Sequence, residues 1–390
     1  MTNAHASHST RPAALIPPVT WLRIIGAWLV VGLFVFFGES ILAAPLTPFT
    51  ASWVFGLLFV TILAAAFGVV HEADHLAEQL GEPYGTLILT LSIVGIEVIL
   101  IASVLLGPTE NPTIGRDSIF AVMMIIMNLI MGICLIAGAA RNGDQEYNTQ
   151  GTSSYLSMIV LLTSVALVLP NFTSVAGEFS FKQAVGISAL TIVLYGVFLS
   201  MQMSSHRRFF IQPPAGAMAV RIQEQADDDA TAAQQAPRDV RSLIVRSAVL
   251  LALIVPIVLL AHYLAVVMDY GIEATGLPLA LGGVLIAIIV FTPESMTAIK
   301  AAMNNEMQRA INLCHGAFVS TVGLTVPAVL IIGLLTGKQV IMGISQTETV
   351  LFAITLVLSL LSFNGQRTSP IQGYMHLVVF VVFGLLLFYP

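Results

Sequence analysis

The sequence predicts an all-α, polytopic membrane protein, and three observations support this fold class. First, 57% of the 390 residues are hydrophobic and only 9% are charged, whereas soluble globular chains carry about 25% charged residues. Second, the mean hydropathy is high, at +0.92. Third, the chain contains about eleven apolar runs, most of which reach the roughly 18 residues that a transmembrane helix needs. The spans are expected at 21–43, 52–71, 84–107, 118–140, 154–169, 182–202, 243–268, 276–299, 311–335, 346–363 and 371–389.

Two polar stretches divide the chain. Residues 1–20 are polar and Pro-rich and are expected to form a cytoplasmic tail before a leading transmembrane helix at 21–43, because a full-length apolar run follows them. Residues 203–242 contain QEQADDDATAAQQAPRD, lack periodicity and are expected to form an acidic cytoplasmic linker. We therefore expect a first repeat at 52–202 and a second repeat at 243–390.

The basic residues predict the orientation of the spans. With the N-terminus in the cytoplasm, twelve of the 15 Lys and Arg residues fall on the cytoplasmic side. The far side holds Arg116, Lys182 and Lys338. An excess of basic residues in cytoplasmic loops is typical of membrane proteins, so we expect a cytoplasmic N-terminus and an external C-terminus.

Two glutamates inside apolar runs indicate an internal repeat. Glu97 ends the segment GTLILTLSIVGIE and Glu294 ends the segment GGVLIAIIVFTPE, each with a glycine twelve positions upstream. A carboxylate at mid-membrane depth costs about 2.5–3.5 kcal/mol even on the lenient insertion scale. Five spans lie on each side of the linker, and since five is odd, the second set runs in the opposite sense. The sequence thus predicts two inverted five-helix repeats that meet at one ion site near the midplane.

The chemistry of this site follows from its oxygen ligands, which suit hard cations such as calcium, sodium or magnesium. Glu97 and Glu294 are predicted to bind the metal ion and also to carry protons. Burial and mutual repulsion favour the protonated carboxyls, whereas a bound cation favours the ionised ones. Cation and proton would then take turns at one site, which is antiport.

Further ligands are expected beside the two glutamates. Asn128 and Asn312 can add amide oxygens, because Asn128-Leu-Ile-Met-Gly132 is echoed by Asn312-Leu-Cys-His-Gly316; interhelical packing is the alternative role for both. Backbone carbonyls could be freed if the helices are interrupted at Gly95 and at Pro293.

The segment HEADH at residues 71–75 indicates an alternative function. It fits the HExxH pattern, in which two histidines hold zinc and the glutamate acts as general base. An intramembrane zinc metalloprotease is therefore the rival hypothesis, although no downstream acidic motif supplies the third ligand that zinc catalysis needs. The segment could also be a solvated helix end, or a surface through which cations or protons approach. The side chains of that surface are His71, Glu72, Asp74, His75 and Glu78.

Other polar residues in or near the spans have simpler interpretations. Glu39 lies toward the outer end of the first span and is expected at the membrane interface. His262, His315 and His376 are single intramembrane histidines with expected structural roles, and His315 is the candidate exception because it follows Asn312. The run DDD at 227–229 is either part of a solvated linker or a cytosolic cation sensor. Both cysteines fall in predicted spans, which excludes a disulfide framework.

Two long segments resemble a known family. HEADHLAEQLGEPYGTLILTLSIVGIEVILI resembles the first signature of bacterial ChaA-type calcium/proton antiporters, which belong to the calcium/cation antiporter superfamily. TPESMTAIKAAMNNEMQRAINLCHGAFVSTVGLTVPAVL resembles the second signature, and the similarity extends over roughly residues 55–390. Vacuolar relatives carry GNxxE in both repeats, whereas the equivalents here read SIVGIE and VFTPE. This departure leaves the cation preference open.

The resemblance implies a ten-helix inverted core with one leading helix, and export of calcium, in some members sodium or potassium, in exchange for protons. It implies essential roles for Glu97 and Glu294. We accordingly expect an integral protein of the bacterial inner (plasma) membrane that is not an enzyme. Its expected partners are the lipid bilayer, protons and calcium or monovalent cations, with no nucleic acid and no cofactor besides the transported cation. A channel and a non-transporting membrane scaffold are the remaining alternatives.

Overall fold

A computed structural model of the chain describes residues 16–43, 46–80, 84–107, 111–213, 240–365 and 367–389. This described part is almost entirely helical and contains no β-strand, only an isolated bridge between Glu146 and Arg367. The helices are α1 Pro18–Ile41, α2 Pro48–Leu80, α3 Tyr84–Leu105, α4 Ile114–Asn142, α5 Thr149–Phe172, α6 Phe181–Met203, α7 Val240–Thr275, α8 Ala280–Met303, α9 Met307–Thr336, α10 Gln346–Ser362 and α11 Pro370–Phe388.

The predicted all-α membrane fold is confirmed. Ten of these helices are long and apolar enough to cross a membrane, and the eleventh, α10, is apolar but has only 17 residues. The main difference is in α2, which continues to Leu80 although its span was expected to end at residue 71. Most of the N-terminal tail, the centre of the linker and its DDD run at 227–229 lie outside the described residues. The boundaries of tail, linker and repeats stay predictions.

The bundle has a buried centre and a lipid-exposed periphery. In α4, 83% of the most apolar stretch is buried, against 22% in both α1 and α11. A helix that is apolar on all sides is typical of the interior of a membrane bundle. Packing around α4 is close because glycines allow it: a Cβ atom built on Gly283 of α8 would lie 2.5 Å from the backbone carbonyl carbon of Asp117.

A second close contact joins α4 to α11. A Cβ atom on Gly132 would lie 2.8 Å from the carbonyl oxygen of Gly373, and one on Gly373 would lie 2.7 Å from that of Gly132. Only hydrogen atoms at both positions allow this backbone approach. The contact determines which side chains of α11 reach the interior of the bundle.

The internal repeat is visible in the helix geometry. Glu294 follows Glu97 by 197 residues. A π-helical segment begins at Met124 in α4, and another begins at Thr321 in α9, again 197 residues later. Such widened turns are rare and occur frequently at functional sites. Their matching positions agree with a duplicated chain.

The expected interruptions at Gly95 and Pro293 are wrong. α3 is a continuous α-helix through Gly95, and α8 is continuous through Pro293. Membrane helices tolerate an internal proline, and Pro293 lies within α8 without ending it. The π-helical turns lie instead in α4, α5 and α9, and α4 and α9 pack beside the helices that carry the glutamates.

Candidate cation and proton site

Glu97 lies fully buried between the two halves of the bundle. Its Oε2 atom accepts hydrogen bonds from the Thr321 and Thr325 hydroxyls, each at 3.0 Å. Its Oε1 atom is buried and has no hydrogen-bond partner among the described residues. One oxygen of the carboxyl is therefore satisfied by the opposite repeat, and the other is available to a proton or a cation.

The two threonines converge on Glu97 because of their positions in α9. They are four residues apart, and residues at this spacing stand on the same side of a helix. Both lie in the π-helical segment Thr321–Thr325, which turns their hydroxyls toward α3. The local sequence STVGLT thus builds a two-donor cradle for a carboxylate.

Glu294 lies in a different environment. It lines a cavity of about 200 Å³ together with Tyr155, Gln202, Arg309 and Asn312. The Arg309 side chain is 62% exposed, so the cavity extends from the exposed end of α9 to the glutamate. The Oε2 atom of Glu294 is nevertheless buried and has no hydrogen-bond partner among the described residues.

The structure brings the two glutamates together inside the bundle. The Glu97 and Glu294 carboxyls are close enough to interact electrostatically, and Asp74 of α2 also interacts with Glu294. Neither glutamate lies on the lipid-exposed periphery. The fully buried Glu97 carboxyl and the half-buried Glu294 carboxyl form the core of the candidate site, and each has one buried oxygen without a hydrogen-bond partner among the described residues.

Asn128 is fully buried in the π-helical segment of α4. Its Nδ2 atom donates to the Thr355 hydroxyl at 2.9 Å and to the Met124 sulfur at 3.6 Å. Its Oδ1 atom is hydrogen-bonded to Nδ1 of His376 at 3.1 Å. The amide is therefore held by α10 and α11.

Asn312 lies elsewhere, and its expected equivalence with Asn128 does not hold. Asn128 follows Glu97 by 31 residues, whereas Asn312 follows Glu294 by only 18; the residue 31 positions after Glu294 is Thr325. Asn312 lines the cavity of Glu294, with its Oδ1 accepting from Gln308 at 2.8 Å and its Nδ2 donating to the Phe210 carbonyl at 2.6 Å. The five-residue echo around the asparagines therefore does not mark equivalent positions.

The HEADH segment is a continuous part of α2 rather than a solvated helix end. Glu72 is fully buried, its Oε2 atom lies 2.9 Å from Nη1 of Arg246 in an ion pair, and its Oε1 atom accepts from Thr20 at 3.5 Å. Glu72 therefore does not fit an exposed approach surface. His71 and His75 are half-buried and touch edge to face, and the Glu78 side chain lies outside the described residues.

The structure gives no support to the protease alternative. Within the described ranges, no group of three or more His, Cys, Asp or Glu side chains could hold a metal ion. The Glu72 carboxylate, which would act as the general base, is already committed to Arg246.

The remaining candidates also have defined positions. Glu39 and His262 are exposed; the interfacial role of Glu39 and the structural role of His262 stay predictions. His315 is fully buried, and neither ring nitrogen has a hydrogen-bond partner among the described residues. His376 is buried and, besides Asn128, contacts the Ser362 hydroxyl through Nε2 at 3.1 Å. The sequence analysis missed Thr321 and Thr325 as donors to Glu97. The signal that could have found them is a spacing: Thr325 follows Glu294 by 31 residues, as Asn128 follows Glu97.

An all-helical membrane bundle with an inward-facing carboxyl in each half is typical of inverted-repeat secondary transporters. Comparison with known proteins gives the family. Residues 50–204 and 246–389 match the family described as sodium/calcium exchanger protein, and the chain belongs to this family. The two matched segments correspond to α2–α6 and α7–α11, so α1 lies outside both.

Individual relatives agree with this assignment. The chain is 34% identical to y4hA of Sinorhizobium fredii (strain NBRC 101917 / NGR234) over 83% of this chain and 86% of that protein. It is 31% identical to the sodium-potassium/proton antiporter ChaA of Escherichia coli (strain K12), over 85% of this chain and 88% of that protein. The structure of native YfkE superposes with a TM-score of 0.70 at 19% identity, covering 94% of this chain and all of YfkE. The chain is thus an integral membrane cation/proton antiporter of the calcium/cation antiporter superfamily, and not an enzyme.

Proposed function

We propose that the protein exchanges cytoplasmic calcium, with sodium or potassium as further substrates, for external protons at one site shared by Glu97 and Glu294. The observation that carries this proposal is the pair of interacting carboxyls, the fully buried Glu97 and the half-buried Glu294, each with one buried oxygen that has no hydrogen-bond partner among the described residues. An ionised carboxylate in an apolar interior is costly unless a proton or a cation compensates it.

Exchange follows from this competition. A cation bound between the two glutamates favours their ionised forms and displaces protons, whereas protonation removes the charge that attracts the cation. If the bundle changes its access only when the carboxyls are compensated, each passage carries either the cation or protons. Glu97 and Glu294 are then both the metal ligands and the proton carriers.

Auxiliary roles are assigned by position. Asn312 shares the cavity of Glu294 and is proposed as a ligand for the approaching cation. Asn128 lies at the position equivalent to Thr325, which donates to Glu97, and is proposed as an auxiliary ligand of the cation. Asp74 interacts electrostatically with Glu294, so it is proposed to attract cations, with His71 and His75 nearby on α2.

The cation is proposed from donor chemistry and relatives together. Carboxylate, hydroxyl and amide oxygens suit hard cations. ChaA is named for sodium, potassium and protons, and YfkE is described as a Ca²⁺/H⁺ antiporter. We propose a bacterial inner membrane location with the N-terminus in the cytoplasm, because the basic residues follow that orientation.

Transport in inside-out vesicles tests the proposal. Addition of calcium should dissipate an imposed proton gradient, and the double variant Glu97→Gln, Glu294→Gln should abolish this response. Glu39→Gln is the matched control, because Glu39 is an exposed glutamate on α1. Full exchange in the double variant would defeat the shared-site mechanism. Calcium, sodium and potassium compared at two pH values would give the cation preference, and currents without proton movement would instead indicate a channel.

A further inference from the structure

The two halves of the site are in different states. On one side, Thr321 and Thr325 of α9 donate to Glu97, which is fully buried. On the other side, the positions 197 residues earlier are Met124 and Asn128 of α4. Asn128 donates to Thr355 and Met124, and Glu294, with its unpartnered oxygen, lines the cavity.

Inverted repeats give this asymmetry a meaning. In a transporter made of two such repeats, the two access states differ largely in the movement of one half relative to the other around a fixed site. The opposite-facing form can therefore be approximated by giving each half the local conformation that the other half has here. In that form, Thr321 and Thr325 would release Glu97 into a cavity on the other side. Asn128, at the position of Thr325, would turn to bond Glu294.

We infer that His376 is a positioning residue that holds Asn128 away from Glu294 in the present access state. This inference rests on the proposed function of the glutamate pair. His376 acts through Asn128 and is not itself placed among the ligands of the transported ion.

The contacts of His376 define how it holds Asn128. The ring is fully buried. An amide oxygen can only accept, so Nδ1 of His376 donates to Asn128 Oδ1 at 3.1 Å. The neutral ring then accepts at Nε2 from the Ser362 hydroxyl at 3.1 Å. With the Thr355 hydroxyl accepting from Nδ2, both ends of the Asn128 amide are fixed.

The backbone supports this arrangement. Gly373 of α11 lies one turn before His376 and meets Gly132, one turn after Asn128, at backbone distance. This contact brings α11 close to α4, where the imidazole reaches Asn128. To reach Glu294, Asn128 must break its hydrogen bonds to both His376 and Thr355, so these bonds stabilise the form in which the Glu294 cavity is open.

Cysteine accessibility tests the inference without requiring transport. The reporter is Ala317→Cys, a cavity-lining position, in a background where the buried Cys134 and Cys314 are replaced by alanine. Its reaction with a membrane-impermeant thiol reagent is measured on the purified protein. His376→Leu should slow labelling about fivefold, the effect of losing one buried hydrogen bond. His376→Gln, which keeps a donor and an acceptor, should restore most of the rate.

Three further variants distinguish a positioning role from general damage. His262→Leu removes an exposed histidine and should leave labelling unchanged. In an Asn128→Ala background, His376→Leu should have no further effect, because its target is gone. Thr355→Val, a nearly isosteric change at the other end of the amide, should slow labelling in the same direction and serves if His376→Leu does not fold.

Unchanged or faster labelling in His376→Leu would overturn the inference, as would an undiminished effect of His376→Leu without Asn128. These outcomes are separate from failure of the proposed function. If the glutamate pair did not exchange cations for protons, transport would be absent in the unmodified protein, whereas the labelling rates would still report the contact between His376 and Asn128.

Discussion

Replacing the threonines that hold Glu97 should weaken cation binding by a calculable amount. Thr321 and Thr325 each donate one hydrogen bond of 3.0 Å to the same buried carboxylate oxygen. Hydrogen bonds to charged groups contribute about 1.5–3 kcal/mol, and each 1.4 kcal/mol is tenfold in an equilibrium. Thr321→Val or Thr325→Val keeps the shape of the side chain and removes one donor. Each variant should therefore raise the apparent KM for the cation about 10- to 150-fold.

The direction follows from the ionisation that cation binding requires. The hydroxyls stabilise the ionised carboxylate, so their loss favours the protonated form and the competing proton. Because a higher pH lowers the concentration of competing protons, raising the pH should recover part of the lost affinity in the valine variants.

The assay is cation-induced dissipation of a proton gradient in inside-out vesicles, measured over a range of cation concentrations at two pH values. Thr321→Ser keeps the hydroxyl and should retain near-normal affinity. Thr336→Val is the matched control, because the Thr336 hydroxyl donates to a carbonyl of its own helix at the exposed end of α9. An unchanged KM in both single valine variants, or an equal loss in Thr336→Val, would refute the reasoning.

Three other predictions concern packing and the HEADH segment. Gly283→Ala should destabilise the protein by about 1–3 kcal/mol through overpacking, seen as a lower melting temperature in detergent, whereas Gly26→Ala, with nothing within 4 Å of its Cβ, should not. Glu72→Gln should cost about 1.5–3 kcal/mol, the range for a hydrogen bond between charged groups, because it weakens the ion pair with Arg246; adding Arg246→Gln should recover part of the melting temperature, and an unchanged melting temperature in the single variant would contradict the ion pair. His71→Ala should keep cation exchange, and metal analysis of the unmodified protein should find no stoichiometric zinc; loss of bound zinc on this substitution would revive the protease hypothesis.

The fold was predictable because lipid imposes a simple length and polarity rule on each helix. The number and approximate positions of the helices follow from the apolar runs, whereas the opposite orientation of the two halves stays a prediction. The extension of α2 to Leu80 was not predicted, because the polar HEADH segment suggested a solvated helix end, whereas Glu72 is buried. The ion-pair partner of Glu72, Arg246, is 174 residues away along the chain, and a pairing at this distance cannot be predicted from the local sequence.

The candidate site was predictable only in its charged centre. Glu97 and Glu294 are conspicuous because carboxyls are rare in apolar spans. Thr321 and Thr325 were missed because hydroxyl residues are common in membrane helices and usually bond their own backbone. Their role depends on the π-helical turn Thr321–Thr325, which the sequence pattern did not predict. The contact of His376 with Asn128 likewise depends on the approach of Gly132 to Gly373.

The 17 residues of α10 have a consequence for the surrounding lipid. At 1.5 Å per residue the helix is about 25 Å long, shorter than the hydrocarbon core of about 30 Å. The extended chain before it is held by backbone hydrogen bonds from Met342 and Gly343 to the Gly177 carbonyl and from Ile344 to the Leu167 carbonyl. This edge of the protein therefore matches a thinner membrane. Lipids with longer acyl chains should have to compress beside α10, and the mismatch should strain the hydrogen bonds of Asn128 with Thr355 and His376.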